Sequence, residues 1–551
     1  MIEIENLTVS YRGGEANALS SLSFRADRGE YIAIVGPNGS GKSTLIKSIC
    51  GLVRQQDGTI RVLGFDVEGG RFSEQFFGRV GVVFQEPEVQ FLMRDVRREI
   101  GAVLQNLGLP VEDQEERFRR LVEQFSLKDI LNMKPENLSG GQMQIVNLAC
   151  ALASEPEILL LDEPTTFLDA RYRELLMEHL KRFAESGGTI IHATQFPEEA
   201  VHAQRICVIN QGEIVFDGNP EEVFADAKLL EENKLIIPYQ LAFQNRFGFA
   251  ITERDKWNSV CRKRGRKAPA SQLFLEIDEP LPDVALSVRN LEFNYQQSAF
   301  NLTVEKLDLH RGEVAAVLGA TGSGKTTLAL LLAGLYRPSR GQIEFRGRPI
   351  EDYRMKELRK RLAMIWQLPD IGMIGPTVKD DLEFAPQNLN LEQYDCASIL
   401  NLVGLTGFDD RIVDTLSGGE KRKLSIGSAL IVNPEFMILD EPEAFLDSRS
   451  EADLIDIIRR LSEDGTGVLL IGHDLHFIAE LAERVIGLQD GRLTLDLPAN
   501  LFFSDEVYSK MIGLHADPMI SFRHALKENG VELPFASLKP ETIAGYLKEK
   551  P

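Results

Sequence analysis

The chain has 551 residues, of which 43% are hydrophobic and 26% are charged, and its formal net charge at pH 7 is −22. This length and composition predict a globular protein with sizeable cores and several domains, and the acidic balance argues against a protein whose main task is to bind nucleic acid. We find no apolar run of about 18 residues that would predict a transmembrane helix, and no signal-peptide pattern. The five scattered cysteines lack metal-site spacing and predict reduced thiols.

The first motif is a glycine-rich loop that follows an apolar, strand-like run at residues 31–35 and precedes a helical stretch. This order is typical of a phosphate-binding P-loop, in which backbone N–H groups and a helix N-terminus bind the phosphates. Lys42 would contact the β- and γ-phosphates, and Ser43 would contact Mg²⁺. Upstream, an alternating strand pattern ends at Tyr11, whose ring could stack on an adenine. The predicted nucleotide-binding residues of the loop are Gly36, Asn38, Gly39, Ser40, Gly41, Lys42, Ser43 and Thr44.

Three polar motifs follow, each at the end of a predicted strand or the start of a predicted helix. Residues 81–85 are predicted to form a strand whose last residue is the polar Gln85. A second anion site is predicted where a helix begins, because a hydroxyl and backbone donors meet there; its residues are Ser139, Gly140, Gly141 and Gln142. A buried strand then delivers Asp162 and Glu163 at its carboxyl end, which is the expected ligand edge of a parallel sheet. Asp162 would hold Mg²⁺, and Glu163 would polarise the attacking water.

From Val284 onward the same motifs recur in the same order, which predicts two similar domains. We predict a first domain at 1–248, a linker at 249–283 and a second domain at 284–551. The linker contains a short basic run at 262–267, for which a solvated linker is favoured over contact with lipid or RNA. The recurring residues are Tyr295, Gly319, Thr321, Gly322, Ser323, Gly324, Lys325, Thr326, Thr327, Gln367, Ser417, Gly418, Gly419, Glu420, Asp440 and Glu441.

Taken together with the Phe-Leu-Asp triplets at 167–169 and 445–447, these motifs resemble the ATP-binding cassette (ABC) ATPases over essentially each half of the chain. The resemblance implies an α/β fold of two tandem P-loop NTPase domains, each with a parallel core sheet, an antiparallel β subdomain and a helical subdomain. It implies ATP hydrolysis with Mg²⁺, and identifies residues 139–142 and 417–420 as the signature loops of the two cassettes. It also implies a head-to-tail pair of cassettes, in which each ATP lies between the P-loop of one cassette and the signature loop of the other. The implied metal ligands are Ser43, Gln85, Asp162, Thr326, Gln367 and Asp440.

The family next expects a histidine that follows a strand and contacts the γ-phosphate. The second half has His473 at this position, whereas the first half has Gln195, and His192 is too early and is predicted to be a strand residue. Gln195 cannot share a proton, and Glu420 would bring a negative charge towards the polyphosphate of the same composite site. We therefore predict slower hydrolysis at that site. The predicted catalytic residues are Glu441 and His473 in one site and Glu163 and Gln195 in the other.

The segments after the two glutamines, about 86–100 and 368–386, and both tails resemble the energy-coupling-factor ATPases of vitamin and metal-ion uptake. The resemblance implies a peripheral protein at the cytoplasmic face of the membrane. A membrane-embedded subunit would contact these two segments, a separate membrane component would bind the substrate, and no nucleic acid is expected. Two alternatives remain: a soluble tandem-cassette ATPase acting on ribosomes, and a fused sugar-importer ATPase. The acidic composition and the lack of a long charged linker argue against the former, and residues 377–386 and the tails fit the latter less well.

Overall fold

The computed structural model describes residues 1–11, 17–67, 76, 78–166, 168, 170–262, 283–295, 300–444, 446–514 and 517–549. The backbone divides into two compact units, Met1–Pro238 and Tyr239–Pro551. Most of the predicted basic run, 263–267, lies outside the described residues, as do Phe167, Asp169 and Phe445 of the Phe-Leu-Asp triplets. Within the described ranges, no helix is long and apolar enough to cross a membrane.

The first unit alternates strands and helices. Its strands are β1 (Ile2–Val9), β2 (Leu19–Ala26), β3 (Tyr31–Val35), β4 (Asp57–Val62), β5 (Phe65–Asp66), β6 (Val80–Val83), β7 (Ile158–Asp162), β8 (Thr189–Ala193), β9 (Arg205–Asn210) and β10 (Glu213–Gly218). Its helices are α1 (Lys42–Ile49), α2 (Val96–Asn106), α3 (Val111–Gln124), α4 (Gly140–Leu152), α5 (Ala170–Glu185), α6 (Pro197–Ala200), α7 (Pro220–Ala225) and α8 (Ala227–Glu232).

Two sheets organise this unit. An antiparallel sheet has the order β2-β1-β4-β5, and the core sheet has the order β10-β9-β3-β8-β7-β6, with parallel pairing from β9 to β6. Every residue of β3, β7 and β8 is buried, as expected for a parallel sheet that is covered on both faces. The carboxyl ends of these parallel strands meet at one edge, so the P-loop and the residues after β6, β7 and β8 converge there.

The second unit repeats this plan and adds further helices. Its strands are β11 (Val284–Asn294), β12 (Asn301–His310), β13 (Val314–Leu318), β14 (Arg340–Phe345), β15 (Arg348–Pro349), β16 (Leu362–Ile365), β17 (Phe436–Asp440), β18 (Gly467–Ile471), β19 (Arg484–Gln489) and β20 (Arg492–Pro498). Its helices are α9 (Tyr239–Phe247), α10 (Arg254–Arg262), α11 (Lys325–Leu332), α12 (Met355–Arg359), α13 (Val378–Leu389), α14 (Cys396–Leu402), α15 (Gly418–Leu430), α16 (Ser448–Glu463), α17 (Leu475–Leu481), α18 (Ala499–Phe502), α19 (Glu506–Met511), α20 (Pro518–Glu528) and α21 (Pro540–Glu549).

The strands of the second unit form one continuous sheet in the order β15-β14-β11-β12-β20-β19-β13-β18-β17-β16. Strands β19, β13, β18, β17 and β16 pair in parallel, and the register places Ala316 opposite Leu470 and Ile438 opposite Leu469. The antiparallel strands β11, β12 and β14 lie on the other side of β20. The predicted fold class, tandem α/β P-loop domains with a parallel core and an antiparallel β region, is confirmed.

Helices α9 and α10 pack on the second unit, although they precede its first strand. The Phe243 ring lies edge-on against Phe522 of α20, with centroids 4.8 Å apart, and Trp257 contacts the same ring at 5.6 Å. The compact unit therefore begins at Tyr239. From the sequence we predicted the boundaries 1–248, 249–283 and 284–551. These boundaries place α9 in the first domain and α10 in the linker, and they remain a prediction.

Candidate functional site

The two P-loops have the same backbone geometry. Gly41 and Gly324, which precede α1 and α11, have φ of 111° and 105°, a left-handed region that favours glycine. A Cβ at Gly36 would lie 2.0 Å from the Ile209 carbonyl oxygen, so the loop can cross the end of β9 only without a side chain. Lys42 Nζ donates to the carbonyl of Gly36 at 2.8 Å, and the counterpart Lys325 donates to that of Gly319 at 2.7 Å. Each lysine is thus held against its own loop.

Each unit pairs a P-loop hydroxyl with the aspartate at the end of the central strand. Ser43 Oγ donates to Asp162 Oδ1 at 2.7 Å, and Thr326 hydrogen-bonds Asp440 in the same way. Burial raises the pKa of both aspartates to about 6, and the adjacent glutamates Glu163 and Glu441 contribute to this rise. Hydroxyl and carboxylate oxygens are the ligands that Mg²⁺ prefers, and it completes its shell with phosphates and water. The residues present fit a magnesium ion that binds with a nucleotide.

The two glutamates predicted to be catalytic adopt an uncommon backbone conformation. Glu163 and Glu441 have φ of 45° and 47°, and their N–H groups donate to the Ala193 and Ile471 carbonyls at 2.8 and 2.7 Å. A left-handed residue at the end of a strand is costly for glutamate and is found where a side chain must be aimed. Each N–H bond also ties the glutamate to the last residue of β8 or β18. The glutamate is therefore attached to the strand that leads to the predicted switch residue.

The predicted strand-end glutamines reach these carboxylates. Gln85 Nε2 donates to Glu163 Oε2 at 3.1 Å, and Gln367 Nε2 donates to Glu441 Oε2 at 2.8 Å. The structure thus brings glutamine, aspartate, glutamate and lysine together at one sheet edge in each unit. The structure therefore places these side chains close together, and the roles that we predicted for them remain predictions.

The second carboxylate oxygen distinguishes the two units. In the second unit, His473 Nδ1 lies 3.2 Å from Glu441 Oε1, whereas in the first unit Glu163 Oε1 faces Lys42 Nζ at 3.6 Å. Burial alone would raise the pKa of Glu441, but His473 and Lys325 outweigh it and hold that pKa below its usual range. Among the residues that the structure describes, Gln195 Oε1 has no hydrogen-bond partner. In the second unit, the residue at the predicted switch position, His473, therefore contacts the carboxylate of Glu441.

A buried polar cluster lies on β8 behind Gln195. His192 Nδ1 is 3.0 Å from the Tyr31 hydroxyl, and burial lowers the pKa of this histidine to about 3. Glu199 Oε2 accepts from Thr194 Oγ1 at 2.7 Å and lies 3.5 Å from His192 Nε2. As predicted, His192 is a strand residue, and the structure shows that it is buried. The sequence did not reveal its polar neighbours, Tyr31 on β3 and Glu199 on α6.

Both signature loops form capping boxes at the start of a helix. Ser139 Oγ accepts from the Gln142 N–H at 3.2 Å, and the Gln142 side chain accepts from the Ser139 N–H at 2.9 Å. Ser417 and Glu420 make the equivalent pair at the start of α15. Glu420 Oε1 also accepts from Arg411 at 2.9 Å. The charge of Glu420 is thus partly compensated, which the sequence did not indicate.

The two predicted adenine-stacking rings have different surroundings. Tyr11 Oη lies 3.3 Å from Thr44 Oγ1, and Tyr295 Oη lies 3.0 Å from Thr327 Oγ1. In the second unit, Tyr336 packs edge-on against Tyr295 and stacks on Phe293, which also meets Tyr295 edge-on; the three centroid distances are 5.9, 5.5 and 5.1 Å. The positions that correspond to Phe293 and Tyr336 in the first unit hold Val9 and Val53. The second ring is therefore braced by aromatic neighbours.

Each unit has a strand, a P-loop and a helix, a hydroxyl–aspartate pair, and a glutamate in a left-handed conformation at the end of a buried strand. Because this arrangement occurs twice, it defines a P-loop ATPase with two tandem nucleotide-binding cassettes. The ABC transporter family profile matches residues 19–166 and 302–444, more than half of the chain. The chain belongs to this family, whose members hydrolyse ATP, and is an ATPase.

Relatives match along nearly the full length. The "Putative HMP/thiamine import ATP-binding protein" of Bacillus subtilis is 32% identical over 520 residues, covering 91% of this chain and 92% of the relative. A "Putative ABC transporter ATP-binding protein" of Methanosarcina acetivorans is 29% identical over 592 residues, covering 100% and 94%. The solved structure named "RNase-L Inhibitor" has a TM-score of 0.60 and 21% identity, covering 96% of this chain and 100% of that one. At this identity the structural likeness shows the fold alone.

Proposed function

We propose that this chain is the ATP-hydrolysing, energy-coupling subunit of an importer of the energy-coupling-factor type, for a vitamin or a metal ion. It would act at the cytoplasmic face of the membrane. A membrane-embedded subunit would contact residues of about 86–100 and 368–386, and a separate membrane component would bind the substrate. The observation that carries this proposal is a matched set of exposed apolar side chains in these two segments.

The exposed apolar side chains of the two segments occur at the same sequence separations from the strand-end glutamines. Val89 and Ile371 lie four residues after Gln85 and Gln367 and are 65% and 60% exposed. Leu92 and Ile374 lie seven residues after them and are 84% and 60% exposed. Clustered exposed apolar side chains mark contact surfaces, whereas isolated ones do not. Because the glutamines contact the catalytic carboxylates, a partner bound here would lie next to the hydrolysis machinery.

The first unit also has a groove beside its apolar segment. The groove has a volume of about 1390 Å³ and runs between α2 and α3. Met93, Arg97, Gly101 and Phe118 are among its lining residues. Its lining combines apolar side chains with charged side chains of both signs, so it could accept an amphipathic helix. This groove would extend the predicted docking segment of the first unit.

The name of the Bacillus subtilis relative supports the importer class and favours a vitamin-related substrate, since it refers to HMP and thiamine import. The ribosome-acting and sugar-importer alternatives are not favoured by any contact described above. They are therefore kept as outcomes of the experiment below.

Within the importer, ATP would bind to each P-loop and be covered by the signature loop of the other cassette. Lys42 and Lys325 would move from their loop carbonyls to the β- and γ-phosphates. Ser43 with Asp162, and Thr326 with Asp440, would hold Mg²⁺ beside Gln85 and Gln367, and the ion would neutralise phosphate charge. Glu163 and Glu441 would accept a hydrogen bond from the attacking water and polarise it.

We further propose that the site of Lys325, Glu441 and His473 is the more active one. His473 contacts Glu441 directly, so it can orient the carboxylate and stabilise charge at the γ-phosphate. Gln195 offers no ionisable group at the matching position. Because Arg411 compensates Glu420, the predicted asymmetry depends on Gln195 more than on the signature of the second unit.

The test is affinity purification of the tagged chain from its native host in mild detergent, followed by mass spectrometry. We expect a polytopic membrane subunit and a small hydrophobic binding protein to co-purify. The pair Ile371→Asp and Ile374→Asp should lose them, whereas Met355→Asp, a change at a 55% exposed residue of α12, should not. Thermal unfolding of each variant shows whether it is folded. Recovery of ribosomal subunits without a membrane partner would contradict the proposal, and recovery of a sugar permease would correct its branch.

A further inference from the structure

A fully buried arginine in the second unit joins three functional segments. Arg422, on α15, has 0% of its surface exposed. Its guanidinium donates to the backbone carbonyls of Trp366 at 2.6 Å, of Gln367, and of Ala444 at 3.3 Å. The first two carbonyls lie at the strand-end glutamine, and the third lies three residues after Glu441. A rigid donor fork of this kind fixes the relative positions of its acceptors.

The signature loop is attached to the same helix. Arg422 follows Ser417 by five residues, and the preceding residue, Lys421, forms an ion pair with Asp370. Asp370 lies three residues after Gln367, at the start of the predicted docking segment. Consecutive residues of α15 therefore hold both the backbone at Gln367 and the segment that follows it.

Three acidic residues of the second unit affect the pKa of the buried Arg422. Burial lowers the pKa of Arg422 to about 10, and Glu443, Glu441 and Asp440 oppose this shift, Glu443 most strongly. Both carboxyl oxygens of Glu443 are enclosed, and neither has a hydrogen-bond partner within the described part of the chain. A Cβ at position 472 would lie 3.1 Å from Glu443 Oε1, so Gly472, the residue before His473, leaves room for this carboxyl group. Burial raises the pKa of Glu443 to about 8 against the opposing effect of His473.

The first unit has two neutral residues at the same positions. Gln144 lies five residues after Ser139, as Arg422 does after Ser417, and Thr165 lies two residues after Glu163, as Glu443 does after Glu441. Gln144 Nε2 donates to the Phe84 carbonyl at 2.9 Å, a position that corresponds to Trp366. A cation and an acid in one unit thus replace two neutral side chains in the other.

We propose that Arg422 is a positioning residue that couples the two ATP sites through the second unit. This inference rests on the proposed head-to-tail pairing, in which the signature loop of α15 faces one ATP while Gln367 and Glu441 face the other. Closure of the signature loop on the first ATP would move α15, and Arg422 would carry that movement to the carbonyl of Gln367. In the first unit, Gln144 donates to one backbone carbonyl, that of Phe84, whereas Arg422 donates to three. The first unit would therefore transmit the movement of its signature loop less strongly than the second.

The experiment measures ATP hydrolysis by the full chain as a function of ATP concentration for the wild type, R422Q, R422K, E443T and R422Q/E443T. The matched control is Gln144→Ala. We expect positive cooperativity in the wild type and the control. R422Q should reduce the Hill coefficient towards 1 and lower kcat about tenfold, a magnitude typical of a residue that carries coupling. R422K keeps the positive charge but lacks the several N–H donors of the guanidinium. We therefore expect R422K to be more stable than R422Q but to have the same low cooperativity.

The double variant separates coupling from folding. R422Q/E443T recreates the neutral pair of the first unit, so we expect its thermal unfolding temperature to exceed that of either single variant while its cooperativity stays low. If this folded variant kept the Hill coefficient and kcat of the wild type, Arg422 would be a packing residue and the proposal would be wrong. A Hill coefficient of 1 in the wild type, with two nucleotides bound, would instead contradict the head-to-tail pairing of the proposed function. The coupling role of Arg422, which rests on that pairing, would then be wrong as well.

Discussion

His473 Nδ1 lies 3.2 Å from Glu441 Oε1, and no comparable contact between Gln195 and Glu163 is found in the part of the chain that the structure describes. The histidine therefore holds one carboxylate oxygen while Gln367 holds the other. In the first unit, Gln85 and Lys42 surround Glu163. We propose that this difference makes the two ATP sites work at different rates although their P-loops match.

The first prediction concerns the switch histidine. His473→Gln gives the second unit the residue of the first, and we expect kcat to fall about 10²-fold because charge stabilisation and orientation are lost. Nucleotide affinity should change little, since Lys325 and the P-loop stay intact. Steady-state ATPase assays with equilibrium binding of a fluorescent ATP analogue check both quantities. Gln195→Asn is the matched change in the first unit, and an equal loss of kcat there would refute the distinct role of His473.

The second prediction is a pH dependence of stability in the first unit. Burial lowers the pKa of His192 from 6.5 to about 3, so the folded protein binds fewer protons than the unfolded chain between these values. The stability contributed by neutral His192 is therefore complete above pH 6.5 and declines as the pH falls, by up to about 1.4 kcal/mol per pH unit.

The pair His192→Leu and Tyr31→Phe removes this titration without leaving the tyrosine hydroxyl unpaired. The second unit already has Leu470 at the position of His192. We expect the loss of thermal stability between pH 7 and pH 5 to be smaller in the variant than in the wild type. His179, whose pKa burial lowers to about 4, should leave part of the dependence in place. An unchanged pH dependence would show that His192 is already charged or solvated.

The third prediction concerns the adenine-stacking rings. Tyr295→Ala should weaken ATP binding at the second P-loop about 5- to 150-fold, the range expected for loss of one base–aromatic stack. Tyr336→Leu removes the edge-on brace, so we expect a smaller loss at the same site. Equilibrium binding measured in a Lys42→Ala background isolates this site. Val53→Ala is the matched control in the first unit and should leave binding at the second P-loop unchanged; equal effects of both substitutions would contradict the brace.

Local patterns predicted individual strands and loops, and the resemblance to ABC ATPases implied the fold class. Apolar runs before glycine loops predicted β3 and β13, because a fully buried parallel strand and a loop that bonds phosphates each leave a distinct composition. The first strand was predicted to reach Tyr11 but ends at Val9, since alternation alone does not mark where pairing with β2 and β4 stops. The rule that parallel strands end at one edge explains the contact between Gln85 and Glu163, although this contact was not predicted.

Contacts between distant segments were not predictable from those patterns. Arg411 compensates Glu420, and Arg422 is buried against Gln367, because tertiary packing brings these groups together. Direct comparison of the two halves could have singled out Arg422 and Glu443, since each replaces a neutral residue. The packing of α9 on α20 left no local signal, because an amphipathic helix does not specify which surface covers it.

The most direct test of the unequal sites compares Glu441→Gln with Glu163→Gln. Each change removes one water-polarising carboxylate while keeping its size and the P-loop. We predict that Glu441→Gln reduces turnover to near background and that Glu163→Gln retains a substantial part of it, with two ATP molecules bound to each variant. Equal and complete loss of turnover in both variants, with normal ATP binding, would contradict the asymmetry and show that both sites must hydrolyse ATP together.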